Sequence, residues 1–333
     1  MLRLYGFSFL KVLLLVCLPG AVAEAQNKRI PLILSTDVGN EIDDQWTIVY
    51  TLLNPLFDVR GIVSAHAPVL NPPAAHTSYR ILVDIVENRL RMLQHPPLFE
   101  GASLPLEGAT PRRNAGVDFI IEQSKSFSRS NRLNVLAIGA VTDVASAILI
   151  DPSIAERIKV VDMGFQDWPD GVGLFNIDND VQAMKIVLDS DVPLVIGSAE
   201  VCRRHLSLNL DQAKALVGGR GPIGEWLCEE FVAFYYRFVK PLRKEDFSGV
   251  RVIWDNVVLA YLLDMTAQET YPRPRMKDDT RFEHPKTERT ITWITSIDEK
   301  RMWADFIRHL DQYQQSHALG QQGIQTRHTY MIP

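Results

Sequence analysis

Residues 33–53 read ILSTDVGNEIDDQWTIVYTLL, and the rest of the chain can be read outward from them. The apolar run from Pro31 to Leu34 is short enough to be a buried strand. It stops at a cluster of acids: Asp37, Glu41, Asp43 and Asp44. Trp46, Ile48, Val49, Leu52 and Leu53 then follow at helical spacing. The stretch reads as strand, acidic loop, helix. In parallel α/β sheets, ligands bind outside the carboxyl ends of the strands. Carboxylates crowded there raise one another's pKa unless a cation sits among them. Hard divalent cations take oxygen ligands, and Ca²⁺ takes about six to eight. The bland alternative is an acidic first turn on a surface helix, favoured by the helix dipole. Asp37 at the strand end, and the tight turn that Gly39 permits, favour a metal site.

The chain has 333 residues, enough for one large α/β domain or two small ones. Its 46% hydrophobic and 23% charged residues are ordinary for a soluble globular protein. A formal net charge of −5 gives no support for nucleic-acid binding. Residues 1–25 differ from the rest. Arg3 and Lys11 precede the apolar run Val12 to Leu18, and Ala23-Glu24-Ala25 offers a small-x-small cleavage site. This predicts a secretory signal peptide, an exported protein (periplasmic or secreted) with no stable membrane insertion after cleavage, and a single domain over 26–333. Cys17 leaves lipidation as a minor alternative, since Val16 makes a poor lipoprotein box. Cys202 and Cys228 would survive cleavage, and spacing alone does not say whether they pair.

Further strands are expected at Asp58–Ala65, Asn134–Ile138, Lys159–Met163 and Val192–Ile196, with a short one at Pro97–Phe99. Helical patterns lie between them, and two more follow at Gly224–Val239 and Asp255–Leu263. The alternation predicts an α/β fold: a mainly parallel open sheet flanked by helices. The part after Tyr271 reads as irregular.

Asp37-Val38-Gly39-Asn40-Glu41-Ile42-Asp43-Asp44 resembles the aspartate signature of the nucleoside hydrolase family, inosine–uridine-preferring type. That signature is an Asp-x-Asp-x-Gly element after a strand, then an Asp-Asp pair opening a helix. Ser35 stands in place of its first Asp, and the loop here takes the longer form. Leu136 to Ala145 is similar to the family's strand–Gly–Leu-Thr-Asn–helix segment, whose strand-end carbonyl ligates calcium; Ile138 is the matching position. Phe175-Asn176-Ile177 is similar to a Glu-Phe-Asn segment whose Asn contacts ribose hydroxyls, with Leu174 in place of the Glu. Trp254-Asp255 resembles the last calcium ligand. Many members carry His before that Asp, and a purine-selective branch carries a base-stacking Trp. His66 ends the second strand, where the family usually has Gly-Asn, and is a candidate for the same pocket.

The resemblance covers about Pro31 to Leu263. It implies a calcium-dependent hydrolase cleaving the N-glycosidic bond of ribonucleosides, leaning to purines. Asp37 would be base and ligand, joined at the metal by Asp44, Asp255 and the Ile138 carbonyl. Asn40, Asp43, Asn176, Trp254 and His66 would bind substrate. The changes at Ser35 and Leu174 leave two alternatives: hydrolysis of another ribosyl or glycosyl compound, or an exported binding protein retaining the calcium site. The expected partner is a small nucleoside or riboside; homo-oligomerisation stays open.

Overall fold

The computed structural model describes residues 29–239 and 249–328. The expected signal peptide lies outside the described residues.

An eight-stranded sheet carries the fold. Its strands are β1 (Ile30–Thr36), β2 (Phe57–Ser64), β3 (Leu98–Glu100), β4 (Leu133–Ala137), β5 (Ile158–Met163), β6 (Leu194–Gly197), β7 (Thr266–Pro272) and β8 (Thr290–Ile297). They lie in the order β3-β2-β1-β4-β5-β6-β8-β7, and every neighbouring pair is parallel except β8 with β7. The continuous apolar run of β1 follows from burial on both faces. Leu32 and Leu34 enter a core with Trp46, Tyr50, Phe231 and Phe306. Ile33 points the other way, into a core with Val63, Val135, Val144 and Val160. Strand order reverses between β1 and β4, so the loops after these two strands diverge and leave a crevice.

The region after Tyr271 is not irregular, which corrects the reading from sequence. It supplies β8, which inserts between β6 and β7, and a helix, Glu299–His328. The residues of β8 are Thr-Ile-Thr-Trp-Ile-Thr-Ser-Ile, mostly β-branched or aromatic types that suit a pleated, half-buried surface. Met302, Phe306 and Leu310 of the helix are buried against Trp46 and Tyr50. Cys202 and Cys228 are both buried free thiols, so they do not pair.

One buried acid is placed by this sheet without a partner. Ser35, Ala137 and Asp162 are successive register partners on β1, β4 and β5. Neither carboxyl oxygen of Asp162 has a hydrogen-bond partner among the described residues, and burial pushes its pKa up from 3.8 to about 8. An acid whose pKa rises on folding binds more protons in the native state than in the unfolded one, so its contribution to stability falls as pH rises across that window. Asp162→Asn is therefore expected to raise the urea midpoint clearly at pH 8 and little at pH 4.5. Equal shifts at both pH values would contradict an uncharged, solvent-free carboxyl.

Candidate active site

The crevice after β1 and β4 opens into a cavity of about 450 Å³, within the size range of small-molecule sites. Its floor is acidic and its walls are apolar and aromatic: Leu174, Phe175, Phe234 and Trp254 line it together with Asp37, Asp43, Asp44 and Asp255.

The acids reach the floor for local reasons. β1 delivers Asp37 at its carboxyl end, and a turn closed by the Asn40 amide on the Asp37 carbonyl redirects the chain. Gly39 sits at φ +104, and a Cβ there would lie 2.4 Å from Ile81 Cδ1, so no other residue fits this turn without strain. Gly139 serves differently: a Cβ would meet the Asp37 Cβ at 3.0 Å, so its absence lets β4 approach the aspartate loop. Asp43 and Asp44 then open the helix Asp43–Leu53, whose N-cap residue, Ile42, makes no side-chain cap. Both are buried. This disposes of the solvated-first-turn alternative, because nothing in water accounts for their position.

Asp43, Asp44 and Asp255 each offer a carboxylate oxygen within 4.8 Å of the others. Asp37 stands beside this trio. It accepts a hydrogen bond from Asn40 Nδ2 at 3.4 Å, and Thr36 Oγ1 donates to Asp44. Burial first, and then the neighbouring carboxylate charges, hold all four acids well above the usual range. Asp255 Oδ2 is buried with no hydrogen-bond partner among the described residues. A divalent cation suits such a floor. It would complete the orphaned oxygen, offset the repulsion and meet only hard oxygen donors. The nearby Cys202 is no competing ligand: its thiol donates to the Trp254 carbonyl at 3.5 Å, and burial pushes its pKa up.

Asn176 donates through Nδ2 to the Ile138 carbonyl at 3.1 Å and to the Met163 carbonyl at 3.5 Å. It thus ties the ends of β4 and β5 beneath the cavity that it also lines. His66 does not line the cavity. It is buried, 3.0 Å from Thr142 Oγ1, and Thr142 in turn donates to Asp180 at 2.6 Å. Asp180 also accepts from the backbone amides of Leu106 and Ala183, both at 2.9 Å. His66 is part of this anchor, and burial lowers its pKa. Reasoning from sequence did not single out Arg203, Phe234, Val69 or Met163 as lining residues. The first of these follows β6 directly on the helix Ala199–His205, at the carboxyl edge of the sheet, and that position was the one available signal.

A mainly parallel α/β sheet with buried carboxylates gathered at its switch point defines a small-molecule site lined by hard oxygen donors. The comparisons refine it: a family described as inosine-uridine preferring nucleoside hydrolase matches residues 32–304. The chain belongs to that family, whose members hydrolyse the N-glycosidic bond of ribonucleosides. It is 25% identical over 239 residues to a probable uridine nucleosidase 1 from Oryza sativa subsp. japonica, covering 61% of this chain and 68% of that one. It is 21% identical over 256 residues to the pyrimidine-specific ribonucleoside hydrolase RihA of Escherichia coli O9:H4 (strain HS), covering 70% and 79%. Among solved structures, the purine-preferring ribonucleoside hydrolase from Gardnerella vaginalis superposes with a TM-score of 0.67 at 20% identity, over 85% of this chain and 99% of that one.

Proposed function

We propose that the protein is a calcium-dependent ribonucleoside hydrolase with a preference for purines. The observation that carries this reading is the convergence of Asp43, Asp44 and Asp255 beside Asp37, with one buried oxygen left unpartnered, at the base of an aromatic-walled cavity. Asp37, Asp44, Asp255 and the Ile138 carbonyl would hold the cation, with Asp43 beside them. All of these are oxygen donors, which favours calcium over softer metals. When bound, the cation lowers the pKa of a coordinated water and neutralises the carboxylates around it.

The chain's own residues do the rest. Asp37, oriented by Asn40, accepts the proton of the attacking water as oxocarbenium character builds on the sugar. Asn40, Asp43 and Asn176 hold the ribose hydroxyls. Trp254, half-buried beside Asp255, presents its ring to the base. The wider face of a bicyclic base gains more from stacking than a pyrimidine does.

Stacking is worth about 0.5–1.5 kcal/mol beyond burial, so Trp254→Leu should lower inosine kcat/KM by up to about tenfold. The melting temperature should change little, because the indole is not fully buried. Steady-state assays of inosine and uridine on both proteins check this. A wild type that prefers uridine would contradict the purine bias. Export is a separate part of the proposal and stands on residues 1–25. N-terminal sequencing of the exported protein should find a mature chain beginning near residue 26. One beginning at Met1 would reject cleavage, and one beginning at Cys17 would mean lipidation.

A further inference from the structure

We infer that Arg203 stabilises the departing base. This inference rests on the hydrolase reading above and concerns the half of the reaction that the acidic floor does not serve. Breaking the C1′–N bond leaves its electron pair on the base, and four carboxylates nearby do nothing to favour negative charge there.

Arg203 is the only cationic side chain among the described residues lining the cavity. It belongs to a run of three basic residues ending the helix Ala199–His205, and the other two are committed elsewhere. Arg204 pairs with Glu200, and His205 pairs with Glu299 at 2.9 Å. Arg203 has no carboxylate partner among the described residues. Among the described residues, its guanidinium makes one hydrogen bond, to a neutral acceptor, Gln166 Oε1, at 2.9 Å. Its guanidinium lies 5.4 Å from the centroid of the Trp254 ring. A cation over an aromatic face at this distance is attracted by the ring's quadrupole. The guanidinium carries five N–H donors, of which Gln166 uses one. Arg203 and Trp254 both line the cavity, so the edge that Gln166 leaves unused borders the space that the base would fill.

That edge matches a particular ligand chemistry. A planar fork of donors pairs with two adjacent acceptors, such as the carbonyl oxygen and ring nitrogen of a 6-oxopurine. In the reaction, the C1′–N bond breaks with its electron pair going to the base, and the water oxygen bonds to C1′. Asp37 takes the water's proton. Arg203 donates hydrogen bonds to the base and transfers no proton. The proton held by Asp37 reaches the released base through solvent. The sum is nucleoside plus water giving ribose plus free base.

A substrate whose leaving group is stable unaided separates this role from any other. The calcium-loaded full-length protein would be assayed on inosine and on 4-nitrophenyl β-D-ribofuranoside, as wild type, Arg203→Met and Arg203→Lys. Removing a donor aimed at developing charge costs about 10²–10³-fold in a water-excluded site and less at an exposed one, so Arg203→Met should lose about tenfold or more on inosine and stay within about threefold on the nitrophenyl riboside. Arg203→Lys should fall between, since it keeps the charge and loses the fork. Arg203 is exposed, so the variants should melt with the wild type. Parallel losses on both substrates would assign Arg203 to the sugar or to the Trp254 wall and overturn the inference. So would unchanged inosine turnover. A wild type inactive on both substrates would instead overturn the hydrolase reading, and the inference with it.

Discussion

Replacing Asp37 with Asn should lower ribonucleoside turnover by about 10²–10⁴-fold, the usual value of a positioned general base. The substitution keeps the shape of the side chain and removes its capacity to take a proton. Its effect on the stability of the metal-free protein runs the other way. Burial and the charges of Asp43 and Glu41 push the Asp37 pKa up, so ionising it in the metal-free protein is costly. Removing that charge should raise the melting temperature of the metal-free protein at pH 8, even as activity collapses. Calcium content must be measured alongside, because Asp37 borders the carboxylate trio. A variant that keeps both calcium and full turnover would remove Asp37 from the role of base.

The second large effect concerns the metal. Stripping the protein with a chelator should abolish turnover and lower its melting temperature, and the loss in melting temperature should grow with pH. The sign follows from the four floor carboxyls. In the metal-free protein their folded-state pKa values lie above the unfolded ones, so the native state binds extra protons. That contribution to stability is present at low pH and is lost as pH rises through the folded values. A bound cation needs the same groups ionised, so its affinity rises with pH, and it stabilises only the native state. The gap in melting temperature between loaded and stripped protein should therefore be small at pH 5 and large at pH 8. Scanning calorimetry of both forms checks this. A gap that does not change with pH would separate the metal from these carboxyls.

The parts of this site that could be read in the sequence are those carried by short contiguous segments. The aspartate loop, the strand end at Ile138, Asn176 and the Trp254-Asp255 pair each sit where a strand or helix begins or ends, and the fold gathers them in one crevice. The C-terminal region was misread because β8 pairs with β6, which ends 93 residues earlier at Gly197, and no local signal reports a pairing that distant. His66 had the right position after β2. Its environment, a buried contact with Thr142, is made by a helix 76 residues away. Arg203 could not be told from Arg204, because the two differ only in which side of a short helix faces Trp254. Ser35 and Asp162 show the same limit. Both are polar residues on one face of the sheet without a hydrogen-bond partner among the described residues, and neither looks unusual until β4 is placed between them.

The most direct test is product analysis with a ribonucleoside and the calcium-loaded protein in phosphate buffer. The account predicts free base and free ribose in equal amounts, no ribose 1-phosphate, and loss of both products on chelation with recovery when calcium is restored. Calcium bound at the acidic floor with no base released from any of a panel of purine and pyrimidine ribonucleosides would contradict it.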